Sequence, residues 1–265
     1  MRKKTLNSIL SIVLAAAMIF SFVAMPVSAQ TDDSVLKFNE DGKFRILQFA
    51  DIQDNAFLEY ATYQFIKDSV AELQPDLIVL TGDNISGGGS PTKTLAKFGI
   101  ARFMSIFEKA GVPVAMVFGN HDSEGPANKE YQMEVYESFD CFVGCEGEDL
   151  TGCGNYYLPI YDAEGEDMLY NLWMFDSGTS LHDENGEWLG YDWVRADQID
   201  WYNNTRDAIT EKNGGKIVPS IAFQHIIPKE AVEVLFYETD TSLGELTYNF
   251  NDGGIYSYVP KIDKF

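Results

Sequence analysis

Positive charge is scarce in this chain: 19 lysines and arginines face 41 aspartates and glutamates, a formal net charge of −22. Such a surface repels nucleic acid and anionic membranes, and no basic patch is offered to a polyanion. A phosphate-bearing ligand would need a local cationic centre, which bound metal can supply. Histidine is scarcer still, with three in 265 residues: His121, His182 and His225. Cysteine is limited to Cys141, Cys145 and Cys153. Their C-x3-C-x7-C spacing, with no histidine close by, does not make a zinc site. One local disulfide with a thiol left over is compatible with export, and so are three free thiols. Internal repeats and low-complexity tracts are missing too, which excludes solenoid and fibrous architectures.

Long apolar runs are missing everywhere except at the start. Arg2, Lys3 and Lys4 precede a nearly unbroken apolar stretch from Ile9 to Val23, and Val27-Ser28-Ala29 supplies the small residues of a cleavage site. Residues 1–29 therefore read as a secretory signal peptide cut after Ala29, with an uncleaved anchor as the competing reading. Export follows as the expectation, to the outside or to a bacterial cell envelope, with no stable membrane insertion after cleavage. Loss of those three basic residues takes the net charge from −22 to −25. Residues 30–265 are then expected to form one domain. The full chain, at 45% hydrophobic and 14% aromatic, carries enough apolar surface for a substantial core.

Within that domain, four apolar runs each end abruptly on polar side chains. Residues 44–50 end on Asp51, residues 77–81 on Gly82-Asp83-Asn84, residues 112–118 on Gly119-Asn120-His121-Asp122, and residues 217–224 on His225. Buried strands of an α/β sheet deliver functional groups to one edge in this way. Helices are expected over 60–73, 92–110, 128–139 and 194–212, with Phe65, Phe98 and Ile199 among their packing positions. The alternation of strand and helix up to residue 139 implies parallel strands with right-handed crossovers, hence an α/β fold. Residues 155–161 and 168–175, separated by the polar segment 162–167, read as a hairpin in a second sheet. Gly87-Gly88-Gly89 lacks the Lys-Ser/Thr of a phosphate loop and reads as a plain loop. His182 falls in a polar loop, and residues 238–265 lose the strand-and-helix rhythm.

The strand ends suggest one metal centre assembled from distant parts of the chain. Mixed oxygen and nitrogen donors suit manganese, iron or zinc. Asp83 is the candidate bridge between two cations, Asp51 a ligand on one side, and Asn120 with His225 ligands on the other. A cation pair of this kind makes hydroxide from bound water near neutral pH and stabilises an in-line phosphoryl displacement. His121 could donate a proton to the leaving oxygen. Asp122 is expected to orient His121 and raise its pKa.

The order Asp51, Gly82-Asp83, Gly119-Asn120-His121-Asp122, His225 resembles the calcineurin-like metallophosphoesterase superfamily, whose pattern is D-x-H, G-D, G-N-H-D/E, H, then G-H-x-H. Gly154-Asn155-Tyr156 and Phe175-Asp176-Ser177-Gly178 are more particularly similar to its purple-acid-phosphatase-related class. The resemblance implies a four-layer α/β/β/α sandwich, two divalent or trivalent metal ions, and hydrolysis of a small phosphorylated substrate. Phosphomonoesters are expected before phosphodiesters or nucleotides. Two departures stand out. Gln53 occupies the place of the D-x-H histidine, a weaker metal ligand, and Ser86 occupies the place where purple acid phosphatases carry a compensating tyrosine. The G-H-x-H motif is absent, so the expected fold lacks its last strands and the sequence reads as a piece of a longer one. A weakly active or inactive phosphate- or partner-binding protein on the same scaffold is the alternative expectation.

Overall fold

A computed structural model describes residues 35–147 and 149–228. The expected signal peptide over 1–29 and the irregular tail over 238–265 lie outside the described residues. Strand β1 (Ile46–Phe49) leads to helix α1 (Tyr60–Leu73), strand β2 (Leu77–Thr81), helix α2 (Lys93–Ala110), strand β3 (Val114–Val117) and helix α3 (Lys129–Tyr136). All three strands are parallel, in the order β1-β2-β3, with Phe49 opposite Leu80 and Thr81 opposite Val117. Every residue of β2 and β3 is buried, as expected of a parallel sheet covered on both faces.

The second half turns antiparallel. Strands β4 (Tyr156–Tyr161) and β5 (Met168–Met174) form the expected hairpin, and β8 (Ser220–Phe223) pairs parallel to β5. Between them come a short hairpin, β6 (Ser180–His182) with β7 (Trp188–Tyr191), and helix α4 (Ala196–Lys212). The polar loop expected over 180–186 instead holds β6 and the turn that leads into β7. All but one of the residues of β6 and β7 are exposed or half-exposed, and they offer little apolar alternation to detect.

Three apolar clusters separate four layers. Ile78, Leu80 and Met116 pack with Ile66, Phe103 and Phe107 between the first sheet and its helices. Leu77, Val79, Ala115 and Val117 meet Leu158, Ile160, Leu172 and Met174 between the sheets. Trp173 and Phe175 meet Trp201 and Ile209 of α4 on the outer face. Alternate residues of β2 thus serve two different interfaces, the period-two consequence of a strand buried on both sides. The result is the α/β/β/α sandwich. Some helix positions differ from expectation: Phe65, Phe98 and Ile199 are 65%, 44% and 47% exposed. In α1 the equally expected Ile66 and Val70 are buried against the sheet while Phe65 beside them is not, because helical spacing fixes a stripe but not which of two adjacent apolar residues is nearer its centre.

Local chemistry sets the helix ends. Thr92 accepts from the Leu95 N–H (3.2 Å) at the start of α2, and Gly111, with φ of 66°, closes it in the left-handed region. At the start of α4 the Arg195 N–H donates to the side chain of Gln198 (2.6 Å), whose amide donates in turn to Asn155 Oδ1 and the Asp176 carbonyl. Gln198 thereby docks α4 onto the second sheet through a fully used buried amide. Lys129 of α3 reaches across to Asp176 (2.7 Å) and the Gly178 carbonyl (3.0 Å), joining α3 to the end of β5. All three cysteines are free thiols, so no disulfide braces the fold.

Candidate metal centre

The loops that follow β1 and β2 are knitted together by backbone hydrogen bonds. The Asp51 N–H donates to the Gly82 carbonyl (3.1 Å), Gln53 N–H to the Asp83 carbonyl (2.8 Å), and Ser86 N–H to the Asp54 carbonyl (3.0 Å). Three non-glycine residues here take positive φ: Asp51 at 53°, Gln53 at 44° and Asp83 at 50°. The left-handed region is unfavourable for such residues, and it clusters where surrounding structure holds a site in place. The knitted loops are what hold it here, at the carboxyl edge of a parallel sheet.

Asp83, only 2% exposed, stands at the centre. Its Oδ1 accepts from the His121 N–H (2.8 Å), and its Oδ2 accepts from Gln53 Nε2 (3.0 Å). His225 Nε2 lies 3.3 Å from the same Oδ2, and His121 Nε2 lies 4.0 Å from it. The other His225 nitrogen, Nδ1, is 2.9 Å from the Thr81 carbonyl, which fixes the ring and points Nε2 at the carboxylate. Asp51, Asp83 and His225 each offer a ligand atom, and these atoms all lie within 4.8 Å of one another. A cleft of about 530 Å³ holds Asp51, Gln53, Asp83, Asn120, His121 and His225 on its lining. All five expected metal ligands and His121 are therefore brought together.

Burial pushes the Asp83 carboxyl up, but hydrogen bonds from His225 and the His121 backbone, with the charges of both rings, bring it below the usual carboxylate value. Burial likewise pulls His225 down, but the bond to Asp83 and its charge, with the Thr81 carbonyl, raise the imidazole above 6.5. His121 behaves similarly: burial lowers it, and the hydrogen bond to Glu124 with the charges of Asp83 and Glu124 raise it on balance.

Asp122 is a correction. It does not orient His121. It is fully buried, and its Oδ1 accepts from the Asn84 (2.8 Å) and Ile85 (3.0 Å) N–H groups while Oδ2 accepts from Gly119 N–H (2.7 Å). The side chain ties the end of β3 to the loop after β2. Burial pushes its carboxyl up to about 6, against those backbone donors. The partner of His121 is instead Glu124, 2.7 Å from Nδ1, a residue the sequence reading missed although it stands three positions on, across the same turn. Tyr191, Gln48 and Gln224 also line the cleft without having been expected.

The remaining expectations resolve simply. Ser86 accepts from the Gly89 N–H (3.1 Å) and caps its own loop. The Gly87 N–H donates to the His121 carbonyl (3.1 Å), so the glycine loop packs under the His121 turn. His182 is exposed at the end of β6 and is not among the cleft-lining residues.

The donor set fits a metal. Two carboxylates, an imidazole and carboxamides at one mouth are the oxygen and nitrogen donors of a borderline cation. The backbone around them leaves room for little else: a Cβ on Gly82 would lie 2.6 Å from His225 Nδ1, and one on Gly119 would collide with Asp83.

Comparison with known proteins decides the family. Residues 44–246 match the family model described as calcineurin-like phosphoesterase. The chain belongs to the calcineurin-like phosphoesterase family. Curated relatives of this phosphoesterase-family chain include two from Arabidopsis thaliana. The one named "Probable inactive purple acid phosphatase 14" is 30% identical over 64% of this chain and 48% of its own length. The one named "Probable inactive purple acid phosphatase 28" is 29% identical over 76% and 57%. The Saccharomyces cerevisiae protein named "Phosphatase DCR2" is 25% identical over 79% of this chain and 38% of its own length. The chain thus spans about half the length of the curated relatives it matches. Among solved structures, a dimetal phosphatase from Danio rerio aligns over 69% of each chain at 14% identity with a TM-score of 0.44. No helix among the described residues is long and apolar enough to cross a membrane.

Proposed function

We propose that this chain is an exported, metal-dependent phosphoesterase that hydrolyses phosphomonoesters. The observation that supports it most is the convergence of Asp51, Asp83 and His225, with ligand atoms within 4.8 Å of one another, beside a half-exposed histidine. Asp51, Asp83 and His225 would hold the cations, with Asn120 and the Gln53 carboxamide oxygen adding neutral donors. Bound there, manganese, iron or zinc supplies Lewis acidity toward the phosphoryl oxygens and activates water as the nucleophile.

The chain's own groups do the rest. Burial lowers the proton affinity of His121, but the hydrogen bond between Nδ1 and Glu124 and the charges of Asp83 and Glu124 raise it on balance, which favours the protonated imidazole. That proton passes from Nε2 to the leaving-group oxygen as the phosphorus–oxygen bond breaks. Asp83 accepts from the His121 backbone N–H through Oδ1, so the carboxylate that would hold metal ties the loop after β2 to the loop that carries the acid.

A second reading is a binding protein with little or no turnover. Gln53 favours it, since an amide is a weaker ligand than the imidazole of the family pattern, and here its Nε2 is turned toward Asp83. Elemental analysis of the purified chain with a chromogenic phosphomonoester assay separates the two. Bound metal with turnover lost in Asp83→Ala and slowed in His121→Ala supports the enzyme. Bound metal without turnover supports the binding protein.

A further inference from the structure

The cleft holds a second chemistry besides its metal-binding groups. Tyr191, Ile226 and Ile227 line it together with Asp51, Asp83 and His225. Ile227 is 40% exposed, and the Ile226 N–H donates to Ser177 Oγ (2.8 Å), which holds that segment against the end of β5. Tyr191 is the last residue of the β6–β7 hairpin. Its ring takes Trp188 edge-on at 5.5 Å and 79°. The hairpin is fixed at its base, where Asp192 N–H donates to the Thr179 carbonyl (2.8 Å) and Lys129 to the Gly178 carbonyl. Tyr191 therefore lines the cleft from a braced support, with its ring packed against Trp188.

Charge restricts the ligand further. Among the described residues that line the cleft there is no lysine or arginine, and the chain carries a net charge of −22. None of the described lining residues would neutralise anionic groups beyond the one phosphoryl group that metal can hold. A second phosphate or a carboxylate on the ligand would meet an acidic surround.

We propose that the cleft takes phosphate monoesters of uncharged aromatic alcohols, with Tyr191 as the surface against which the aromatic leaving group lies. The inference rests on the phosphoesterase reading above. In the reaction, the oxygen of water bonds to phosphorus and the phosphorus–aryloxy bond breaks. The aryloxy oxygen takes its proton from His121, and a proton lost by the attacking water restores the imidazolium, giving phenol and hydrogen phosphate. An aromatic ring packed on Tyr191 gains the offset or edge-to-face contact that an alkyl group cannot make.

Non-hydrolysable phosphonates test this without relying on turnover. Calorimetric titration of the full chain with excess manganese compares methylphosphonate, phenylphosphonate and 4-carboxyphenylphosphonate. Phenylphosphonate is expected to bind about tenfold tighter than methylphosphonate, the size of an aromatic contact plus its buried area. The added carboxylate is expected to remove most of that gain. In Tyr191→Ala the phenyl-to-methyl ratio should fall close to one, and in Tyr191→Phe it should persist. Equal affinity for the first two ligands, or an unchanged ratio in Tyr191→Ala, overturns the inference and leaves the phosphoesterase reading standing. Binding of none of the three overturns both.

Discussion

His225 sets Nε2 3.3 Å from Oδ2 of Asp83, while its Nδ1 faces the Thr81 carbonyl at 2.9 Å. A residue just past the end of β8 is thus locked onto the loop after β2, and a carboxylate at the sheet edge adds a polar tie to the apolar packing between the two sheets. The lock depends on Gly82, whose φ of 94° and missing side chain let the imidazole ring lie against the backbone.

Gly82→Ala should break this arrangement. The new methyl would lie 2.6–2.7 Å from the ring of His225, and the backbone conformation disfavours any L side chain. Overpacking of this kind costs about 1–3 kcal/mol. Denaturant unfolding should show that loss, and elemental analysis should show metal lost with it.

Proton linkage gives a pH prediction. Asp83 titrates below its ordinary 3.8 and His225 above its ordinary 6.5 in the folded chain. In the metal-free protein, the Asp83 contribution to stability is present above 3.8 and is lost as pH falls through the lowered folded value. The His225 contribution is complete below 6.5 and is lost as pH rises through the raised folded value. Metal needs the neutral imidazole, so it must displace that proton. Metal affinity should rise with pH by about tenfold per unit while His225 is protonated, then level off. Titrations carried from below the ordinary histidine value of 6.5 up to where the affinity levels off check the slope.

Asp122 is predicted to matter for stability rather than as an acid–base group. Asp122→Ala leaves the Asn84, Ile85 and Gly119 N–H groups buried without their acceptor. At about 1–3 kcal/mol for each lost acceptor, with relaxation offsetting part, a loss of about 3–5 kcal/mol is expected. Equilibrium unfolding measures it.

Glu124→Gln should lower the His121 pKa, because the hydrogen bond to the Glu124 carboxylate and its charge raise it. NMR titration of the imidazole resolves the change directly. An unmoved His121 titration would place the cause of its raised value elsewhere.

Lys129 and Asp176 form a buried ion pair at 2.7 Å, with side chains 10% and 1% exposed. Lys129→Met leaves the carboxylate buried without its cation and should cost about 3–5 kcal/mol. Adding Asp176→Leu should not restore stability, since Asp176 also accepts from the Cys153 and Gly178 N–H groups. Thermal unfolding of both variants checks this.

Much of this architecture was legible in the residues. The parallel strands were readable because burial on both faces demands unbroken apolar runs, as in Leu77–Thr81. The candidate ligands were readable because four apolar runs each end on a polar residue, although only β2 and β3 are buried throughout, while β1 is partly buried and β8 mostly exposed. The hairpin carrying Tyr191 was hidden, since Ser-Leu-His and Trp-Leu-Gly-Tyr are too short and too exposed to show a period. The exchange of roles between Asp122 and Glu124 was hidden for another reason. Four consecutive residues at a turn point in different directions, and only the three-dimensional path shows that Asp122 turns inward to three N–H groups while Glu124 meets the ring. The Lys129–Asp176 pair left a faint trace, an aspartate after an apolar strand, with nothing local to name its partner.

The most direct test of the central claim is anomalous diffraction from crystals of the full chain equilibrated with manganese. The account predicts a manganese peak in contact with Asp51, Asp83 and His225, and its loss in Asp83→Ala. A wild-type crystal with no manganese peak at these three side chains, or with its metal bound elsewhere, would contradict it.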